Sequence, residues 1–494
     1  MTQEEEALRR RLGELESENE RLREEVRRRD EVILSLQEEI KELRRRTSMD
    51  STNSSKPPST DGYRKPRPRS LRERSGRRPG GQPGHAGRNI ELPHEPDVVV
   101  DHIPVMCQGC PGLTGCIAGG RFSPGESRYV IEAVTATRVV EHRSVRAECP
   151  MGLREADDGA GGPVGQFPPN VKAHIQYGDS MVATAVLLDT YGAMSDARIS
   201  DVIRSLFGVS LSPGTVVSMT SRCSDAVLPT MERVREAVIG SPVSNFDETG
   251  IRSCGRLVWV HNASTPELTY QTVSPRRGME GILDCGVIRD SDGIAVHDCL
   301  PSYFLFDNVG HGICGAHLLR ELNGIREMEP THLWPGRFKD LLLFMKSAKE
   351  EAIGAGLGNL DPEILDTFDR MYDEILALAD AECPPPPEPA VPRRGRRKKG
   401  RERSLIERLR RLKGAVCLHV RDFRVPFDNN QAERDLRNVK TKSKVSGCFR
   451  SERGARDYVR LSSYISTGRK QGVNPYEAMV AALEGRADAL LHFE

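Results

Sequence analysis

VSNFD (residues 243–247), RLVWVHNAS (256–264), LTYQTVS (268–274) and GIAVHD (293–298) are the runs on which the fold turns. Each is rich in β-branched or aromatic residues and bounded by Gly, Ser or Pro, the pattern of short strands. Between the third and fourth, Met279 to Cys285 reads as a short helix. Two of the runs carry acids near their ends: Asp247 in NFDETG and Asp298 in AVHDCLPSYF. Downstream, HGICGAHLLRELNGIREME leads into a helix, and residues 335–415 are helical in pattern apart from CPPPPEPAVPRRGRRKKGRERS, whose consecutive prolines forbid regular helix. DNNQAERDLRNVKTK then opens a late helix with Asp428 as its N-cap and Glu433 in its first turns.

Three strands, a helix and a further strand is the element order of a ribonuclease-H-like sheet. Two strand-end aspartates and one glutamate from a packed helix can converge on a pair of Mg²⁺ ions, which prefer such hard oxygen ligands. Metals so paired stabilise the attacking and leaving oxygens of phosphodiester chemistry. On periodicity alone this triad is one of many that 71 acids would allow.

The 494 residues suggest roughly three domains. No apolar run reaches the length of a spanning helix, and MTQEEEALRRRLGELE has no apolar signal region, so a cytoplasmic protein with no membrane partner is expected. Twelve cysteines are too few for a disulfide scaffold and read as reduced thiols or metal ligands. The net charge of +1 hides three basic stretches. Residues 56–88, 393–413 and 434–460 carry +8, +10 and +6, which leaves −23 for the rest of the chain. A polyanion would meet those three stretches rather than a neutral average.

Along the chain, residues 1–46 form an N-terminal coiled coil. Leu12, Asn19, Val26, Ile33 and Ile40 repeat every seven residues, and Leu8, Leu15, Leu22, Arg29, Leu36 and Leu43 make the second seam. This predicts a homo-oligomer. Residues 47–92 are a basic linker dominated by Pro, Gly, Ser and Arg. Residues 93–155 read as a small zinc-ribbon-like unit of short strands, including the alternating stretch Tyr129–Val145. Cys107, Cys110 and Cys149 are its candidate Zn²⁺ ligands, and Cys116, His102 and His142 stay open as the fourth. Gly152 stands where a second knuckle needs a cysteine, so a ribbon without metal is the alternative. Residues 170–240 are helical, and ARISDVIRSLFGVSLSPGTVVSMTSRCSDAV holds a helix, a turn at Gly208 and a second helix opening at Ser212-Pro213. That spacing suits a helix-turn-helix DNA-binding region, with Ser218, Thr220, Ser221 and Arg222 on the second helix, or a plain packing pair.

NSSKPPSTD with GGQPGHAGR, the CxxC element, LFGVSLSPGTV, NFDETG, VHDCLPSY, CGAHLLREL and DNNQAERDLRNVKTKSKVSGCFRS together resemble the large transposase of the insertion-sequence-sixty-six family. The likeness runs from the coiled coil to about residue 480. It implies a multidomain α+β chain whose residues 241–480 form a ribonuclease-H-like DDE catalytic core with a helical insertion at about 335–415. By motif, Asp247, Asp298 and Glu433 become the catalytic, Mg²⁺-binding acids, and Cys314 and His317 match an accessory CxAH element. Arg434, Arg437, Lys440, Lys442 and Lys444, at helical spacing behind Glu433, become DNA-binding cations. The implied activity is Mg²⁺-dependent cleavage at insertion-sequence ends and strand transfer into target DNA. Its partners would be terminal inverted repeats, target DNA, further copies of the chain and accessory proteins of the element. The alternatives are a non-catalytic DNA-binding oligomer, such as a regulator or decayed transposase, and a host-repurposed nuclease. Retention of all three acids favours the enzyme.

Overall fold

The computed structural model describes residues 3–48, 94–100, 102, 104–122, 127–131, 135–145, 166–385 and 400–493. It divides into a larger unit (Met1–Arg69, Ala173–Asp201, Leu211–Glu494) and a smaller one (Ser70–Lys172, Val202–Ser210).

In the larger unit, Gln3–Ser48 is one continuous helix. Leu12, Leu15, Leu22, Val26, Ile33 and Leu36 are each 48–58% exposed, so these described positions of both expected seams stand uncovered in the single chain. The linker expected at 47–92 lies outside the described residues except at its first two positions.

In the smaller unit, a 3-10 turn at Val105–Cys107 and a helix at Leu113–Ala118 bury no side chain. The alternating run expected as a strand from Tyr129 to Val145 forms none in its described residues. Val130 and Val139 are almost fully exposed, and among the described residues no strand pairs with them. Alternation specifies a strand only where one face finds a core to bury against.

The centre of the larger unit is a five-stranded sheet of β1 (Val243–Ser253), β2 (Arg256–Ser264), β3 (Thr269–Ser274), β4 (Ile294–His297) and β5 (Gly310–Ile313), in the order β3-β2-β1-β4-β5. β1, β2 and β3 pair antiparallel, whereas β4 runs parallel to both β1 and β5. Cys254 and Gly255, both at positive φ, make the two-residue turn between β1 and β2, the geometry that matches strand twist. β1 therefore runs past its acids to Ser253, longer than VSNFD alone suggests. The crossover to β4 contains the helix Met279–Cys285, as the sequence predicts.

Helices cover the sheet. Glu452–Lys470 lies along β3 and packs on Pro213–Ala226, whose Ser212 N-cap accepts from the Thr215 N–H at 3.0 Å. The expected recognition helix thus exists, but its polar side chains turn to the chain itself. Thr220 donates to Asp189, Ser221 donates to Asp457, and Arg222 pairs with Asp179 at 2.8 Å. These contacts fit the packing-pair alternative, while Ser218 and Arg222 stay exposed on the helix.

After β5 and the helix Gly315–Met328 come Trp334–Gly354, Pro362–Glu382 and Arg401–Arg411. Trp334, Phe338, Tyr372, Leu405 and Ile406 form the core of this helical insertion, which Ile313 of β5 and Leu318 join. The basic run is less open than its charge suggests. Arg403 and Arg410 pair with Asp380, Arg408 with Glu321 and Lys413 with Asp373. Residues 386–399 lie outside the described residues. Among the described residues, no helix is long and apolar enough to cross a membrane.

Candidate active site at the end of the sheet

β1 and β4 are parallel neighbours, with Asn245 beside Val296, so Asp247, still within β1, and Asp298, just past the end of β4, lie at the same end of this strand pair. Asp298 sits on a sharp corner. Its Oδ1 accepts from the Leu300 N–H at 3.1 Å, and Cys299 between them has a φ of 74°. A non-glycine residue in that region marks backbone strain held by its surroundings. Asp247 Oδ1 accepts from the Glu248 N–H at 2.9 Å.

The third acid arrives on the helix Asn430–Asp435. Its N-cap is Asn429 rather than Asp428, although Asp428 Oδ1 does accept from the Asn430 N–H at 3.0 Å. The Asn429 side chain is drawn away from the helix. Its Oδ1 accepts from Asn245 Nδ2 at 2.8 Å, and its Nδ2 donates to the Phe246 carbonyl at 2.6 Å. Both partners directly precede Asp247.

Burial holds the Asp247 carboxyl well above the usual carboxylate range, and the charges of Glu248 and Asp298 push it the same way. Lys440 opposes them and Glu433 adds a smaller push. The three acids singled out in the sequence are thus brought within electrostatic reach of one another. Cys314 and His317 are brought to the same place. The Cys314 sulfur accepts from the Asn429 N–H at 3.1 Å. His317 Nε2 lies 3.7 Å from Glu433 Oε1, and the Arg320 guanidinium lies 3.5 Å from it. Burial and then Arg320 lower the His317 pKa against the pull of Asp298 and Glu433. Gly315 is required here, since an added Cβ would stand 2.4 Å from the Phe427 ring.

Reading the sequence by motif missed Glu248, Arg277, Tyr303, Arg320, Asn245 and Asn429. Glu248 is buried. Its Oε1 accepts from Arg277 Nε at 2.8 Å, and its Oε2 accepts from the Tyr303 hydroxyl at 3.1 Å. Burial, then Asp298, raises its pKa to about 7 against the pull of Arg277. A second acid directly after Asp247 was the available signal for it. The two asparagines carry no periodic signal at all.

The five expected DNA-binding cations separate. Arg434, Arg437 and Lys444 are exposed, while Lys440 is half-buried and close enough to Asp247 to act on its charge. Lys442 departs from the expected row. It is buried, with Nζ 2.5 Å from Asp189 Oδ1 and 2.5 Å from the Met194 carbonyl. At Lys442 the helix turns towards the core.

The carboxylate oxygens of Asp247, Asp298 and Glu433 suit a hard divalent cation, and their mutual repulsion is what such a charge would relieve. Among the described residues, no three His, Cys, Asp or Glu side chains are gathered closely enough to hold a metal ion. Cys107, Cys110 and Cys116 are free thiols, and Cys149 lies outside the described residues.

Residues 3–91 match a family of unknown function, DUF6444. No curated protein matches the chain. Residues 174–457, more than half of the chain and the part that supplies every acid above, match the model of the transposase IS66 family, and the chain belongs to that family.

Proposed function

We propose that this chain is a DDE transposase that cuts DNA at the ends of its element and joins the freed 3′-hydroxyl to target DNA. The observation that carries the reading is that Asp247 on β1 and Asp298 just past the parallel β4 lie at one end of the strand pair, with Glu433 brought near them on a helix from a third segment. The strand order β3-β2-β1-β4-β5, with the helical insertion ahead of Glu433, supports a ribonuclease-H-like catalytic core.

Asp247, Asp298 and Glu433 would hold Mg²⁺, which when bound supplies positive charge to the attacking and leaving oxygens of an in-line displacement. The protein's own residues do the rest. Arg320 holds Glu433 with His317 packed beside both, Lys440 offsets the charge of Asp247, and Arg434, Arg437 and Lys444 face phosphates along the bound strand. Water attacks phosphorus at the element's end and displaces the 3′-oxygen, which leaves as a 3′-hydroxyl. That hydroxyl then attacks phosphorus in the target and displaces the target strand's own 3′-oxygen. The uncovered seam of Gln3–Ser48 supports self-association that would hold two ends together. Residues 93–155, with Zn²⁺ on Cys107, Cys110 and Cys149, would complete the DNA-binding part.

The test incubates the full chain with terminal-repeat DNA and Mg²⁺ beside an Asp247→Ala variant, with the element's accessory proteins present. Cleavage and joined products from the unsubstituted chain alone are expected. Binding without cleavage would overturn the enzymatic reading, cleavage without joining would reduce it to a nuclease, and cleavage by Asp247→Ala would overturn the site.

A further inference from the structure

Asn429 is buried where three segments of the site meet. Its amide oxygen accepts from Asn245 Nδ2 (2.8 Å) and its amide nitrogen donates to the Phe246 carbonyl (2.6 Å). Its backbone N–H donates to the Cys314 sulfur (3.1 Å), and its carbonyl accepts from the Glu433 N–H at 3.4 Å. One residue therefore touches the strand two positions before Asp247, the corner that leads to His317 and Arg320, and the helix that bears Glu433. Asn245 and Asn429 are 4% and 1% exposed, so neither side chain has water as an alternative partner. A buried amide pair leaves a polar group unsatisfied if either member is lost.

We propose that Asn429, latched by Asn245, is a positioning residue that sets Glu433 against Asp247 so that the acids can share a divalent cation. The proposal rests on the reading of these acids as a metal site. The chemistry of the latch specifies asparagine. Its donor and acceptor must act at once, one on Asn245 and one on the Phe246 carbonyl. Aspartate would retain only the acceptor, and leucine neither. Apolar packing joins Leu436 to Ile251 of β1 further along, but among the described residues the hydrogen bonds that tie the start of the Glu433 helix to β1 are those of Asn429. Outer partners that orient metal ligands typically affect affinity by about 10- to 100-fold.

The test is a Mn²⁺ titration of the full chain followed by spin resonance, beside the midpoint of Mg²⁺ activation of cleavage. Asn429→Ala and Asn245→Ala should each weaken Mn²⁺ binding by about tenfold or more, and the double variant by no more than the worse single one. The control is Leu436→Ala, which removes core packing behind the same helix; it should lower thermal stability without moving the Mn²⁺ midpoint. An unchanged midpoint in Asn429→Ala, or an equal shift in Leu436→Ala, would overturn the positioning role and leave the metal site standing. Failure of the unsubstituted chain to bind Mn²⁺, with Asp247→Ala indistinguishable from it, would overturn the metal site and this proposal together.

Discussion

The Tyr303 hydroxyl donates to Glu248 Oε2 at 3.1 Å, which joins the segment after Asp298 to the residue after Asp247. Arg277 holds the other oxygen of the same carboxylate. Glu248 therefore works as a clamp behind the two aspartates. Tyr303→Phe removes one jaw and leaves a buried oxygen without its donor, at a cost of about 1–3 kcal/mol. The expected outcome is a lower thermal midpoint and slower cleavage with DNA affinity intact. A variant as stable and as fast as the original chain would remove Glu248 from the site.

Asp247 stands among like charges in a buried place, and so stability and function pull against each other there. Asp247→Asn should raise the denaturation midpoint of the metal-free protein, because it deletes the repulsion. The same change should abolish the stabilisation that Mg²⁺ gives and with it cleavage. A metal-free midpoint that falls would mean that the charge on Asp247 is already compensated by groups such as Lys440.

The cations behind Glu433 should divide by burial. Arg437→Ala and Lys444→Ala should weaken DNA binding across sequences and lower its salt slope by about one each. Lys442→Ala should instead destabilise the fold by about 3–5 kcal/mol, since it strands Asp189 in the core. Its salt slope should not change. Filter binding at several salt concentrations, beside thermal denaturation, separates the two groups.

His419 lies buried in the core of the insertion. Its Nδ1 is 3.0 Å from the Val416 carbonyl, and Nε2 has no partner among the described residues. Burial lowers its pKa from 6.5 to about 4, with the Val416 hydrogen bond opposing and Lys349 adding to the fall. Because the folded value is the lower one, the unfolded chain takes up the proton first as pH drops. The stability from this group is therefore complete above about pH 6.5 and lost progressively down to about pH 4. His419→Gln should flatten that part of the stability profile, as measured by denaturant titration at a series of pH values.

Leu15→Asp with Leu22→Asp places charge in the uncovered seam of the N-terminal helix. The mass in solution by light scattering should fall, with the helical signal of the remainder retained. An unchanged mass would count against self-association through this segment.

β4, which leads into Asp298, was legible because a buried, parallel-paired strand reads as an apolar run. β1 was legible from Val243 and Phe246 ahead of its acids, although its buried positions include Ser244 and Asn245. β5 was not, since GHGI is four residues with two glycines. Its place depends on Val296 and Val425, against which Gly312 packs closely. The long N-terminal helix and the crossover helix were legible from periodicity alone. The alternating run at Tyr129–Val145 carries the same kind of signal, and its described residues form no strand. In the site, the acids were found through motif likeness. Lys442 was misjudged because helical spacing tells which residues share a face, not which face meets the core. The asparagine latch joins positions 184 residues apart and has no local signature.

Gly315, which opens the helix after β5, donates its N–H to the carbonyl of Phe427 at 2.8 Å, just ahead of the helix bearing Glu433. The whole insertion thus leaves the sheet and returns to it through one doorway. Its length is then a matter between the insertion and its own core. The number of residues separating Asp298 from Glu433 can grow or shrink by whole helices while the distance between the carboxylates stays as it is. Counting along the chain is accordingly a poor ruler for this site, and the doorway is the better landmark for finding the last acid.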